Sequence, residues 1–223
     1  MVKDKFNVLT KENRQILFLH GYLSSKNSFA YQIPYFVRDF EVFAPDLKGF
    51  GDNKGMETPY SLDDYILEMR EYMYKHGINK PFVIAHSFGG RMAIKSAAED
   101  AELFSKLVLT GAAGLKARFS LKKWFKRSAF KVLKRFIDKE KLSLFYSSDY
   151  RELDEVMKES FKKIISETLD EKLKLIKTPT LIVVGDKDRE TPLYMARRLN
   201  RGIKDSKLLV IKDAGQYPGY EKK

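Results

Sequence analysis

Ser87 stands in the stretch A-H-S-F-G, residues 85–89, directly after the apolar run "FVIAHS". A serine hydroxyl becomes a useful nucleophile when a sharp strand-to-helix turn lifts it above a sheet. Such a turn needs small residues two positions before and after the serine, and Ala85 and Gly89 supply them. The pattern is a nucleophile elbow with alanine in place of its first glycine. A second apolar run, "QILFLH", is followed by "GYLSS". A His-Gly turn there can aim the backbone N–H of Tyr22 at the space reached by the N–H of Phe88. Two donors so placed form an oxyanion hole, worth about 3 kcal/mol or more each. His20 reads as a brace for that loop, or simply as a polar strand end, and not as a base. A third run, "TLIVVG", leads into "DKDRETP", where Asp186 and Asp188 both have the chemistry to orient a histidine.

These residues must be held by a scaffold. Six short apolar runs have strand character: 15–20, 41–46, 82–87, 106–111, 180–185 and 207–215. They are too continuously apolar for one solvated face, as expected of parallel strands covered on both sides. Helix-length segments lie between them at 26–38, 61–76, 89–100 and 192–202. The second opens on "SLDD", where Ser61 and Asp64 can form a capping box, and stops at Gly77. The alternation implies an α/β fold with a doubly wound, mostly parallel sheet of about six strands. Ligands in such sheets bind beyond the carboxyl ends of the strands, where Tyr22, Ser87 and the two aspartates all fall. Between 112 and 179 the strand rhythm lapses into helical pattern. The expected division is a core of 1–112 and 176–223 with a helical cap inserted at 113–175.

The chain of 223 residues suits one domain with a modest insertion. At 43% hydrophobic and 32% charged residues it reads as globular and soluble. No apolar run approaches a signal peptide or a membrane span, and there is no cysteine, so a cytoplasmic protein without disulfide or thiolate chemistry is expected. No His/Asp/Glu cluster has ligand spacing, so neither metal nor organic cofactor is implied.

The net charge is +12, and much of it sits in residues 116–141, where eleven basic residues face only Asp138 and Glu140. Within that segment Leu121, Trp124, Phe125, Val132, Leu133 and Phe136 recur at helical spacing, with lysines and arginines between them. An amphipathic helix of this kind could lie on an anionic membrane. A cap helix that buries its apolar stripe over the site and shows lysine to water is the favoured reading. Nucleic acid is not expected, because the aromatics share the apolar stripe instead of interleaving on a basic surface.

Taken together, "LFLHGYLSS", "APDLKGFGDN", "IAHSFGG", "PTLIVVGDKDRETP" and "DAGQYPGYE" resemble the α/β-hydrolase superfamily, specifically its small esterase-like and carbon–carbon-bond hydrolase members with a helical cap. The resemblance runs from about residue 14 to the C-terminus. It implies Ser87 as nucleophile, Asp188 as the acid and Tyr22 and Phe88 as oxyanion donors. It also implies a carboxylic ester or similar small acyl substrate. The family's loop after the last strand reads Gly-His-x-Pro-x-x-Glu, whereas this chain reads G-Q-Y-P-G-Y-E. Gln216 therefore occupies the position of the catalytic base. A glutamine amide can donate and accept hydrogen bonds but cannot take a proton from serine near neutral pH. The resemblance thus implies an esterase damaged at one position, or a binding module that keeps the pocket without turnover.

Overall fold

The computed structural model describes residues 14–117 and 153–216. Six parallel strands form one sheet: β1 (Gln15–Leu19), β2 (Glu41–Phe43), β3 (Phe82–His86), β4 (Lys106–Thr110), β5 (Thr180–Gly185) and β6 (Ser206–Ile211). Their order across the sheet is β2-β1-β3-β4-β5-β6, all six running parallel. The apolar runs become strands because parallel pairing covers the central ones with apolar neighbours. On one face Leu17, Leu19, Val83, Ala85, Leu107 and Leu109, which share it by register, are all buried; on the other Ile16 and Phe18 are buried, while Ile84 and Val108 are half-buried. The edge behaves differently. Leu181 and Leu209 point to one face of β5 and β6, and Leu209 is 47% exposed. The expected cover on both faces is therefore uneven.

Among the described residues five helices accompany the sheet: α1 (Ile33–Phe36), α2 (Leu62–Lys75), α3 (Phe88–Glu99), α4 (Glu155–Ser166) and α5 (Leu193–Gly202). The capping box at α2 forms as expected. Asp64 N donates to Ser61 Oγ at 3.3 Å, and Ser61 N donates to Asp64 Oδ2 at 2.7 Å. From that start α2 buries Leu62, Tyr65, Ile66, Met69 and Met73, a stripe at three- and four-residue spacing. Gly77, at φ +62, ends it.

Two expectations are corrected. A single helix over 26–38 does not form; a 3-10 turn at Lys26–Phe29 is followed by the short α1. Pro34 has no N–H to give and is tolerated only in a helix's first turn, so a new helix starts around it. The final strand ends at Ile211 and not at 215. Asp213 turns left-handed there, at φ +59, and its N–H leaves the ladder to bond Asp186 Oδ1 at 2.8 Å.

Among the described elements helix α3 is the most enclosed, with ten of its twelve residues buried. It carries two buried cations, and both are satisfied. Arg91 Nη1 donates to the Ile164 carbonyl at 2.7 Å. Lys95 Nζ pairs with Asp63 at 2.6 Å and Glu167 at 2.9 Å. Burial alone would lower the Lys95 pKa, but these carboxylates raise it on balance. Ile164 and Glu167 tie α3 to the interval between β4 and β5, and Asp63 ties it to α2. The described part of that interval holds α4 and a 3-10 segment, Asp170–Leu175, and no strand. The basic stretch 119–139 and Trp124 lie outside the described residues.

Candidate active site

Ser87 links β3 to α3 with φ +48 and ψ −104, a conformation that costs an L-residue strain and persists only when its surroundings impose it. They do so from both sides. Ser87 N donates to Thr110 O at 3.1 Å, and Ala113 N donates to Ser87 O at 3.0 Å, so β4 and its exit hold the turn. On the other flank Gly89 N donates to His20 O at 3.0 Å. A Cβ on Gly89 would lie 2.2 Å from the Leu19 carbonyl oxygen, so only glycine lets α3 approach β1 this closely. Helix α3 starts at Phe88, whose N–H is in the first turn and has no intrahelical carbonyl to bond.

The turn after β1 is braced by His20, buried and with both ring nitrogens engaged. Leu47 N donates to His20 Nε2 at 2.9 Å, so that nitrogen must carry a lone pair, and Nδ1–H faces Gly21 O at 2.8 Å. The ring is thereby held neutral, and burial pushes its pKa down further than Gly21 O and Asp46 raise it. This is the bracing role expected of His20. Farther along, Asp46 accepts from Lys26 N at 2.7 Å and Asp52 N at 2.9 Å, tying the turn to the 46–53 loop. The sequence reading missed that brace.

The two aspartates after β5 separate cleanly. Asp186 is exposed and serves the β6 turn through Asp213 N. Asp188 is only 5% exposed and accepts from Glu190 N and Thr191 N at 2.8 Å each, and from Thr191 Oγ1 at 2.6 Å. Thr191 as its holder was also missed. The D-x-x-T spacing was the available signal, since an aspartate readily accepts from N–H groups two and three residues on.

Gly111, at φ +49, sits between Asp188 and the loop after β6. A Cβ there would lie 3.1 Å from Gln216 O, 3.3 Å from Thr191 Oγ1 and 3.4 Å from Asp188 Oδ2. The structure thus gathers Asp188, Gln216 and Ser87 at the carboxyl ends of β3 to β6. Gln216 Nε2 lies 3.4 Å from Ser87 Oγ, a long and weak hydrogen bond. His86 turns to the same loop, with Nε2–H donating to Gln216 O at 3.1 Å. Burial lowers the His86 pKa, opposed by that bond and by Asp188. His76 is far from this chemistry and bonds Tyr72 O at the end of α2.

Residues 15–138 match the sequence profile described as the alpha/beta hydrolase fold, more than half of the chain. The chain belongs to the α/β-hydrolase fold family. It is 28% identical over an alignment of 241 positions to the AB hydrolase superfamily protein YisY of Bacillus subtilis, covering 94% of this chain and 87% of that one. It is 22% identical to Lipase 1 of Psychrobacter immobilis, covering 92% of this chain and 72% of the lipase. The structure of the meta-cleavage product hydrolase from Pseudomonas fluorescens superposes with a TM-score of 0.70 at 23% identity, covering 94% of this chain and 86% of that chain. Among the described residues no helix is long and apolar enough to cross a membrane.

Proposed function

We propose that the chain is a serine hydrolase acting on a carboxylic ester or similar acyl substrate through a Ser87 acyl-enzyme, impaired because Gln216 replaces the histidine base. The observation that carries this reading is the strained Ser87 turn with a side chain of the β6 loop 3.4 Å from its hydroxyl oxygen. With histidine at 216, the Ser87 proton would pass to the imidazole as Oγ attacks the acyl carbon. The tetrahedral oxyanion would sit against the N–H groups of Tyr22 and Phe88. The same proton would leave with the alcohol, and water, activated by the imidazole, would release the acid. Asp188 would hold the imidazole in the required tautomer and steady its positive form. No metal or organic cofactor has a part in this scheme.

The segment 113–175 is assigned as the cap over an acyl pocket. Its basic stretch lies outside the described residues; by its sequence a membrane surface is the less favoured partner and nucleic acid is not expected.

The decisive experiment is Gln216→His with p-nitrophenyl esters. Loss of the base from a serine triad costs on the order of a millionfold in turnover, so restoring it should raise activity by orders of magnitude. A Gln216→His protein that stays inert while Ser87 remains accessible would sink the triad assignment.

A second reading is favoured by one feature, Gln216 itself. A protein that binds an acyl ligand without turning it over has no need of a base. A fluorophosphonate probe separates the two. Labelling of the Gln216→His protein but not of the parent indicates a competent site lacking its base; labelling of neither favours a binder.

A further inference from the structure

Tyr22 contributes more than a main-chain N–H. Its hydroxyl donates to Met157 O at 2.8 Å, on the first turn of α4 and 135 residues away in sequence. Its ring meets Phe161, one turn further along α4, at 5.1 Å between centroids. On its inner side the same ring meets Phe50 at 4.8 Å and Phe88 at 5.6 Å. Phe88 packs in turn on Tyr65 at 5.0 Å. The two residues assigned as oxyanion donors therefore touch through their rings, and one of them is pinned to α4.

Helix α4 is itself seated on the core by polar contacts. Tyr60 N donates to Ser160 Oγ at 2.9 Å, Lys163 Nζ to Pro59 O at 2.9 Å, and Arg91 reaches Ile164 O. The turn it touches is under backbone strain. Leu23, next after Tyr22, has φ +57, a left-handed conformation unfavourable for a leucine. A strained turn keeps its shape only while its anchors hold, and Tyr22 is anchored to α4.

We propose that the Tyr22 side chain is a positioning residue that transmits the seating of α4 to the oxyanion turn. With α4 seated, the turn holds its N–H in place; with α4 lifted, the strained backbone relaxes and the donor moves. This rests on the serine-hydrolase reading for its catalytic consequence but not for its structural one. A displaced donor weakens stabilisation of the transition state more than of the bound ester, so the consequence falls on kcat and not on KM.

The test uses Tyr22→Phe and Phe161→Leu, each in the parent chain and in the Gln216→His chain. In the parent, amide hydrogen exchange of residues 18–25 should accelerate in both variants, while residues 82–86 keep their protection and report an intact fold. Unchanged exchange over 18–25 overturns the coupling, whatever the activity. In the Gln216→His chain, loss of one hydrogen bond should lower kcat for a p-nitrophenyl ester by about fivefold, with KM within about twofold. A raised KM at constant kcat would make Tyr22 a wall of the substrate pocket and overturn its positioning role. If Gln216→His is inert in every background while exchange over 18–25 still responds, the hydrolase reading fails and the mechanical coupling stands.

Discussion

The turn at Ser87 and the loop at Gln216 meet within one hydrogen-bond distance, yet they are built in opposite ways. The Ser87 turn is over-determined. Backbone bonds from Thr110, Ala113 and His20 fix it, and its neighbour Gly89 admits no side chain at all. The Gln216 loop leaves the edge strand after a left-handed Asp213 and is held by contacts from other loops and side chains, among them Asp186 on Asp213 N, Lys187 N on Ala214 O, Lys187 Nζ on Asp213 and His86 on Gln216 O. A nucleophile placed by the core is costly to alter, because altering it disturbs the sheet. A base carried on an edge loop can be exchanged with little effect on the fold. On the serine-hydrolase reading proposed above, such a site could lose its proton acceptor without disturbing the turn that places Ser87.

That contrast can be broken in order of expected effect. Largest is Gln216→His, whose ceiling is the roughly millionfold cost of a missing triad base, read as ester turnover. A rise of less than about tenfold would mean that the loop does not present residue 216 as a triad requires. Next is Gly89→Ala. Its Cβ would meet backbone 2.2 Å away and α3 cannot retreat without dragging its buried face, so destabilisation of about 3 kcal/mol or more is expected in urea melts. A variant within about 1 kcal/mol of the parent would show the elbow to be softer than its contacts imply.

Third is the pH dependence set by His20 and His86. Burial lowers both pKa values, so the unfolded chain binds protons that the folded one refuses. Their contribution to stability is full above the ordinary imidazole pKa of about 6.5 and is lost as pH falls through the depressed folded values. Stability should drop on acidification below about pH 6.5, and His86→Asn should flatten part of that slope. Equal slopes in the two proteins would remove His86 as the cause. Smallest is Gln216→Ala. Its long bond to Ser87 contributes little, and chemical denaturation should register a change under about 1 kcal/mol. A larger loss would make Gln216 a structural member of the loop and undo the contrast.

Much of this was legible in the sequence. Apolar runs too continuous for one wet face announced buried parallel strands, and Ala85-x-Ser87-x-Gly89 announced a turn that needs small neighbours. The capping box at Ser61 and Asp64 was legible because capping is a local interaction. The helix expected over 26–38 failed at a local detail, Pro34, around which a new short helix starts. The brace of Asp46 on Lys26 and Asp52 was not legible, nor was Leu47 as the partner of the bracing His20, because those partners lie 20 or more residues apart or in a loop of no regular period.

By itself the sequence determined the strand and helix alternation, the serine elbow and the identity of residue 216, since each depends on residue type or on neighbours a few positions away. Only the tertiary structure decided which aspartate is buried and which exposed, that His86 serves the loop of Gln216, and that Tyr22 is tied to α4. Those outcomes depend on which side chains converge from distant strands, and hydrogen-bond geometry over a few ångströms leaves no trace in linear spacing.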